Sequence, residues 1–329
     1  MIDSDLRTLH IRCGSDIREK LRVAGFGGDF LEYADPVFDG PVPDVPDLIE
    51  RRAHKLAAGM GPVMGFTEAQ CLAGLRDGEQ RLTDAHHYER VVLWFEHDCY
   101  DQLILARCLS RLAEGPLPAV LELICIDTHP DVQRFNGLGQ LEPSALAGLW
   151  PARKPVTPEQ IALGQSIWTA LRQTDPTGLQ AIARTGTPAL PIAARALWRH
   201  LRELPATVDG LSLTQRLILD ILTEGPSRIG RMFGAMVEGR EPLVFMGDTG
   251  FLGTVEDMAR TDPPVVTIEP GDKPFPREAS ITETGRQVLA GTRDFLSLKP
   301  AERWVGNVIA DGAWRWDEAS VSVVRGTRP

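Results

Sequence analysis

Long apolar runs, paired cysteines and nucleotide-loop motifs are all missing from this 329-residue sequence. No stretch approaches the roughly 20 consecutive apolar residues that cross a bilayer, so no membrane role is expected. The five cysteines, Cys13, Cys71, Cys99, Cys108 and Cys125, are odd in number and form no C-x-x-C pair. That argues against a disulfide framework or a thiolate zinc site and for reduced, mostly buried thiols. Neither G-x-x-x-x-G-K-[ST] nor G-x-S-x-G occurs, which removes the usual support for a P-loop or a serine hydrolase. The opening Met1-Ile2-Asp3-Ser4-Asp5 is acidic and lacks the basic-then-apolar order of a secretory signal, so a cytoplasmic location is expected.

What is present is the composition of a globular chain, 43% hydrophobic and 24% charged, with a length that suggests about two domains. The net charge of −10 is uneven. Residues 1–150 hold 14 Lys+Arg against 24 Asp+Glu, and residues 151–329 hold 21 of each. An acidic first half repels nucleic-acid backbone and anionic lipid, so a nucleic-acid role would have to come from the second half.

The first half alternates strand and helix signals. Leu9 to Cys13 and Asp29 to Tyr33 read as strands flanking a helix over 16–24. Prolines from Pro36 to Pro46 mark a loop, and helices are expected over 47–58 and 67–82. Val91 to Phe95 and Ala119 to Ile126 are uninterrupted apolar strands joined by a helix carrying Leu103, Ala106, Leu109 and Leu112. This pattern predicts a Rossmann-like parallel sheet domain over 1–150, covered on both faces. A helical connector over 151–210 follows, entered through the Thr157-Pro158-Glu159-Gln160 start signal. Residues 211–329 carry helices near 213–223, 228–237 and 249–260, then strands 265–268 and 279–282, the order of a winged-helix-like domain. A C-terminal hairpin is expected to turn at Asp311-Gly312, bringing 307–310 against 313–316.

In an open parallel sheet, ligands bind beyond the carboxyl ends of the strands. That rule selects Gly14, Ser15 and Asp16 after the first strand, and Asp35, Asp39 and Gly40 after the second. After the third it selects Glu96, His97, Asp98, Asp101 and Gln102; Asp127, Thr128 and His129 follow the fourth. Asp98 reads as a helix cap, with Asp101 in the first turn. Glu96 and His97 read as leaving the strand toward a shared crevice, His97 as acid/base, with Glu96 or Asp98 orienting it or holding a divalent cation. Gly14-Ser15-Asp16 resembles a phosphate-cradling turn, but Asp16 and Glu19 suit a capping box, and the neighbouring acids would repel a bare phosphate. Asn136 to Gln140 is a flexible turn, either a lid or a connector.

The winged-helix segment 211–293 holds nine Lys+Arg against twelve Asp+Glu, with Glu256 and Asp257 on its expected recognition helix. DNA binding is therefore disfavoured there, although Lys273 and Arg277 on the wing keep it open. Trp304, Trp314 and Trp316 read as a packing cluster.

Leu9-His10-Ile11 with Gly14-Ser15-Asp16, Phe38-Asp39-Gly40-Pro41-Val42-Pro43 and Trp94-Phe95-Glu96-His97-Asp98 with Tyr100-Asp101-Gln102-Leu103 resemble the bacterial domain of unknown function 1835 family, over residues 8–130. Phe135 to Leu141 and Trp314-Arg315-Trp316-Asp317 resemble its full-length members, with Cys13 where a small polar residue is expected. The resemblance implies a bacterial cytoplasmic protein and no established activity. Two functions remain as expectations. One is a ligand-binding or enzymatic crevice for a nucleotide-like or phosphorylated small molecule, a hydrolase or transferase if an enzyme. The other is a transcription-associated regulator whose winged helix contacts DNA or a protein partner.

Overall fold

The computed structural model describes residues 1–326 and is a mixed α/β structure. Its central sheet comprises β1 (Thr8–Arg12), β2 (Asp29–Glu32), β3 (Arg90–Glu96), β4 (Val120–Ile126) and β5 (Lys154–Pro155), in the order β2-β1-β3-β4-β5. The first four are parallel; the two-residue edge strand β5 runs antiparallel and had no sequence signal. Because β1 lies between β2 and β3, the winding direction reverses between β1 and β3, and both strands end on one rim.

Alternation explains how the sheet is covered on both faces. Leu9, Ile11, Val91, Leu93 and Phe95 enter one core. There they meet α4 (Glu68–Thr83) and α5 (Cys99–Leu112), with α7 (Pro158–Leu171) packed behind α5. Val92 and Trp94 enter the other core, under α1 (Arg18–Ala24) and α6 (Pro143–Leu149). α2 (Leu48–Gly59) and the short α3 (Gly61–Met64) lead into α4. The expected capping box of α7 forms, with Thr157 and Gln160 bonding reciprocally, and α8 (Thr177–Thr185) and α9 (Ala193–Leu201) pack with α7 into the same core as the sheet. α8 was missed by the sequence pattern.

α10 (Leu213–Thr223), capped by Ser212 and Gln215, is followed by β6 (Ser227–Arg228), α11 (Ile229–Ala235) and α12 (Asp248–Ala259). β7 (Val266–Ile268) and β8 (Glu278–Ile281) pair antiparallel, and β6 joins them in the order β6-β8-β7. α13 (Glu283–Leu289) closes this unit, which has its own core. Two of its basic residues are tied to the acids of α12: Glu256 receives Arg277 and Arg260, and Asp257 receives Arg260. The segment before α12 is clamped to the first half, where Phe245 meets Phe38 at 4.8 Å and Val244 O accepts from Cys99 N.

The Asp311-Gly312 hairpin does not form as expected. β10 (Val308–Ile309) pairs back to β9 (Trp304–Val305), while β11 (Trp314–Asp317) pairs forward to β12 (Ser322–Arg325). Gly312 does adopt positive φ, but it joins two separate ribbons. Trp314 and Trp316 are core residues, as expected, whereas Trp304 is only half-buried.

Gly164 sets the approach of α7 to α5: a Cβ there would stand 2.6 Å from Leu109 Cβ. Gly164→Ala gains about 1 kcal/mol of helix propensity but overpacks the contact, which costs about 1–3 kcal/mol. The variant is expected to melt a few degrees lower than the native chain in a calorimetric scan; a higher melting temperature would contradict this packing.

Candidate functional site

The rim between β1 and β3 collects a buried ion cluster around one guanidinium. Arg12, the last residue of β1, donates to both oxygens of Asp16 at 3.0 Å, to Glu96 Oε2 at 3.0 Å and to Asp101 Oδ1. Asp101 also accepts from Cys13 Sγ at 2.9 Å and from the Glu96 backbone N–H at 2.9 Å. Asp98 caps α5 through the Asp101 N–H at 2.6 Å, so the expected helix cap is present. Glu96, Asp98 and Asp101 are all buried, and each offers an oxygen within 4.8 Å of the others.

Crowding sets the protonation of this group. Burial pushes the Glu96 carboxyl up to about 8; Asp101 adds to the rise and Arg12 opposes it. Burial, then Asp101 and Glu96, lifts Asp98 well above the usual carboxylate range. Burial and Asp101 likewise raise the Cys13 thiol. Desolvation and like charge thus raise the proton affinity of Glu96, Asp98 and Cys13.

Two other buried networks give a contrast. Asp35 and Glu79 receive Arg52, Arg107 and Arg111, so cations outnumber carboxylates. Glu203 and Glu241 receive Arg199, and Glu203 also faces Arg303, two against two. At the rim, Arg12 stands against Asp16, Glu96, Asp98 and Asp101. Of these three networks the rim cluster alone is short of cations.

The remaining sequence candidates scatter. His97 is buried, its ring 5.6 Å from Phe135, and its Nδ1 has no hydrogen-bond partner. No hydrogen bond links it to Glu96 or Asp98, contrary to the expected orienting role, because those carboxyls turn to Leu138, Arg12 and the α5 amides. Burial, then Arg195, lowers its pKa, so it is neutral at pH 7. Gln102 Nε2 bonds the Glu96 carbonyl and contacts Cys125 Sγ at 3.3 Å, while its buried Oε1 has no partner.

The expected cap of α1 does not form. The helix starts at Arg18 without a side-chain cap, Asp16 turns to Arg12, and Glu19 pairs with Arg22. Ser15 is exposed and serves the turn through its carbonyl, and Gly14 precedes it with ordinary space around it. Asp39 stands apart, 3.3 Å from Lys55, and Asp35 lies in the arginine network below.

Sequence reasoning missed Arg12, although a charge inside the apolar run Leu9 to Cys13 was its signal. It also left undecided the turn at 136–140, which lies over the cluster. The Leu138 N–H donates to Glu96 Oε2, a side chain at Gly137 would overlap the Glu96 carboxylate, and one at Gly139 would come within 2.8 Å of Asp16 Oδ2.

A raised native pKa means that the folded state binds protons more tightly than the unfolded chain. The contribution of Glu96 is therefore fully present below its ordinary value of 4.5 and is lost as pH rises through about 8. Urea unfolding at pH 5, 7 and 9 is expected to show stability falling across this interval, and Glu96→Gln is expected to flatten the fall. Arg12→Met strands the carboxylates and is expected to cost about 3–5 kcal/mol at pH 7. A Glu96→Gln profile as steep as the native one would contradict this account. No family model matches the chain and no curated protein matches it, so the geometry carries the functional reading.

Proposed function

We propose that the rim between β1 and β3 is a ligand site that takes a nucleotide-like or phosphorylated small molecule together with a divalent cation. The carrying observation is the cation deficit of Arg12 against Asp16, Glu96, Asp98 and Asp101 at the place where the sheet reverses its winding. A buried cluster of excess carboxylates is costly, and a cation that displaces their protons relieves it. Glu96, Asp98 and Asp101 are hard oxygen donors, which fit magnesium, manganese or calcium better than a thiophilic metal. Such an ion would supply charge neutralisation for an anionic ligand that the bare cluster repels. His97, neutral and with an unpartnered Nδ1, is the group free to take a proton in a hydrolysis or transfer reaction.

The finer fold reading supports this placement. We read the β2-β1-β3-β4 parallel order as a Rossmann-like sheet, whose ligands sit at the reversal point. We read the α10-β6-α11-α12-β7-β8 order with its β6-β8-β7 sheet as winged-helix-like. Since Glu256 and Asp257 neutralise Arg260 and Arg277, this unit is read as structural or protein-contacting, not as a DNA reader.

Calorimetric titration with magnesium or manganese, alone and with a panel of nucleotides and sugar phosphates, tests the reading. Cation binding is expected to tighten as pH rises from about 6 to 9, because a proton leaves Glu96 on binding. Glu96→Gln and Asp98→Asn are expected to weaken it about tenfold or more each, and His97→Ala to spare binding but reduce turnover. No heat from any cation or ligand across the panel would remove the proposal.

A further inference from the structure

We infer that residues 135–141 form a strap that must lift before the rim cluster can be loaded, and that Lys20 is its latch. The inference rests on the ligand reading above and concerns how that site is reached. Arg12, Glu96, Asp98 and Asp101 are buried, and of the cluster's acids only Asp16 is substantially exposed. Both oxygens of Glu96 are covered by the strap: Oε2 accepts from Leu138 N–H as well as from Arg12, and Oε1 lies against Gly137. A ligand that reaches Glu96 therefore competes with Leu138 for the same oxygen. Gly137 and Gly139 are the positions that let the backbone lie this close, since a Cβ at either would strike Glu96 or Asp16.

The strap is held by three buried side chains and a small set of polar contacts. Lys20 Nζ, reaching across from α1, donates to the Gly139 carbonyl at 2.6 Å and the Leu141 carbonyl at 2.9 Å. Phe135, Leu138 and Leu141 insert into the core under α1 and α6. Gln140 closes the turn on itself, its Oε1 accepting from the Asn136 and Gly137 amides. Apart from one short turn, Leu138–Gln140, the segment lies outside the strands and longer helices, between β4 and α6, so it can lift without breaking a ladder. Segments outside the ladder open locally at a lower free energy than the sheet they cover.

The test compares native protein, Lys20→Met and Gly139→Ala. The readout is hydrogen–deuterium exchange of 135–141 against that of the strands. Both variants are expected to raise Leu138 exchange about tenfold, with the amides of β1 and β3 unchanged. Native-like Leu138 exchange in Lys20→Met overturns the gate, and so does exchange that rises only together with that of the strand amides. Manganese titration of the same proteins separates the two ideas. Faster association in the variants supports the gate, and equal association rates overturn it. If manganese binds none of the three, the cation reading falls while the exchange data still decide the strap.

Discussion

A single buried guanidinium, that of Arg12, makes the rim of this sheet possible. Asp16, Glu96 and Asp101 come from a turn, a strand end and a helix start; donating groups on Arg12 hold Glu96 and Asp101 in a desolvated space and Asp16 at its open edge. Opposite charges at hydrogen-bond distance gain strength where water is excluded, and like charges lose by the same measure. Burial opposes the Arg12 charge, yet Cys13, Asp101 and Glu96 hold its pKa well above the ordinary value. The guanidinium cannot satisfy four carboxyls at once, so burial and like charge raise the proton affinity of Glu96 and Asp98.

The same chemistry elsewhere in the molecule ends differently. Beneath the opposite face, Asp35 lies between Arg52 and Arg107, and Glu79 between Arg107 and Arg111. Those ions are matched or over-matched, and the network acts as a brace between α2, α4 and α5. Balance separates a brace from the proposed site: a matched network has no use for a further ion, whereas the rim cluster is short of positive charge. Its position at the winding reversal and its cover of glycine-spaced backbone agree with that distinction.

Much of the architecture was legible because the signals are periodic and local. Apolar strands such as Val91 to Phe95, buried on both faces, announce a covered parallel sheet. Thr157/Gln160 and Ser212/Gln215 mark helix starts through bonds spanning three residues. The failures came where a partner lay elsewhere in the chain. The Asp311-Gly312 turn was read as a hairpin from local preference, but Val308-Ile309 finds Trp304-Val305, and Trp314 to Asp317 finds Ser322 to Arg325. Asp16 was read as a cap, but the pull of Arg12 is stronger than that of a seven-residue helix end. Asp39 follows the second strand as the rim rule asks, yet its loop turns it to Lys55.

The chain itself determined that Glu96, Asp98 and Asp101 share the exit of one strand, since only six residues, 96–101, span the strand end and the first helical turn. It also determined the order of strands and helices, through side-chain alternation. Only the tertiary structure decided that Arg12, 84 residues from Glu96, would be their counter-ion, and that Leu138, 42 residues beyond it, would cover them. Charge pairing across such separations is set by which strands become neighbours, and no local preference encodes that.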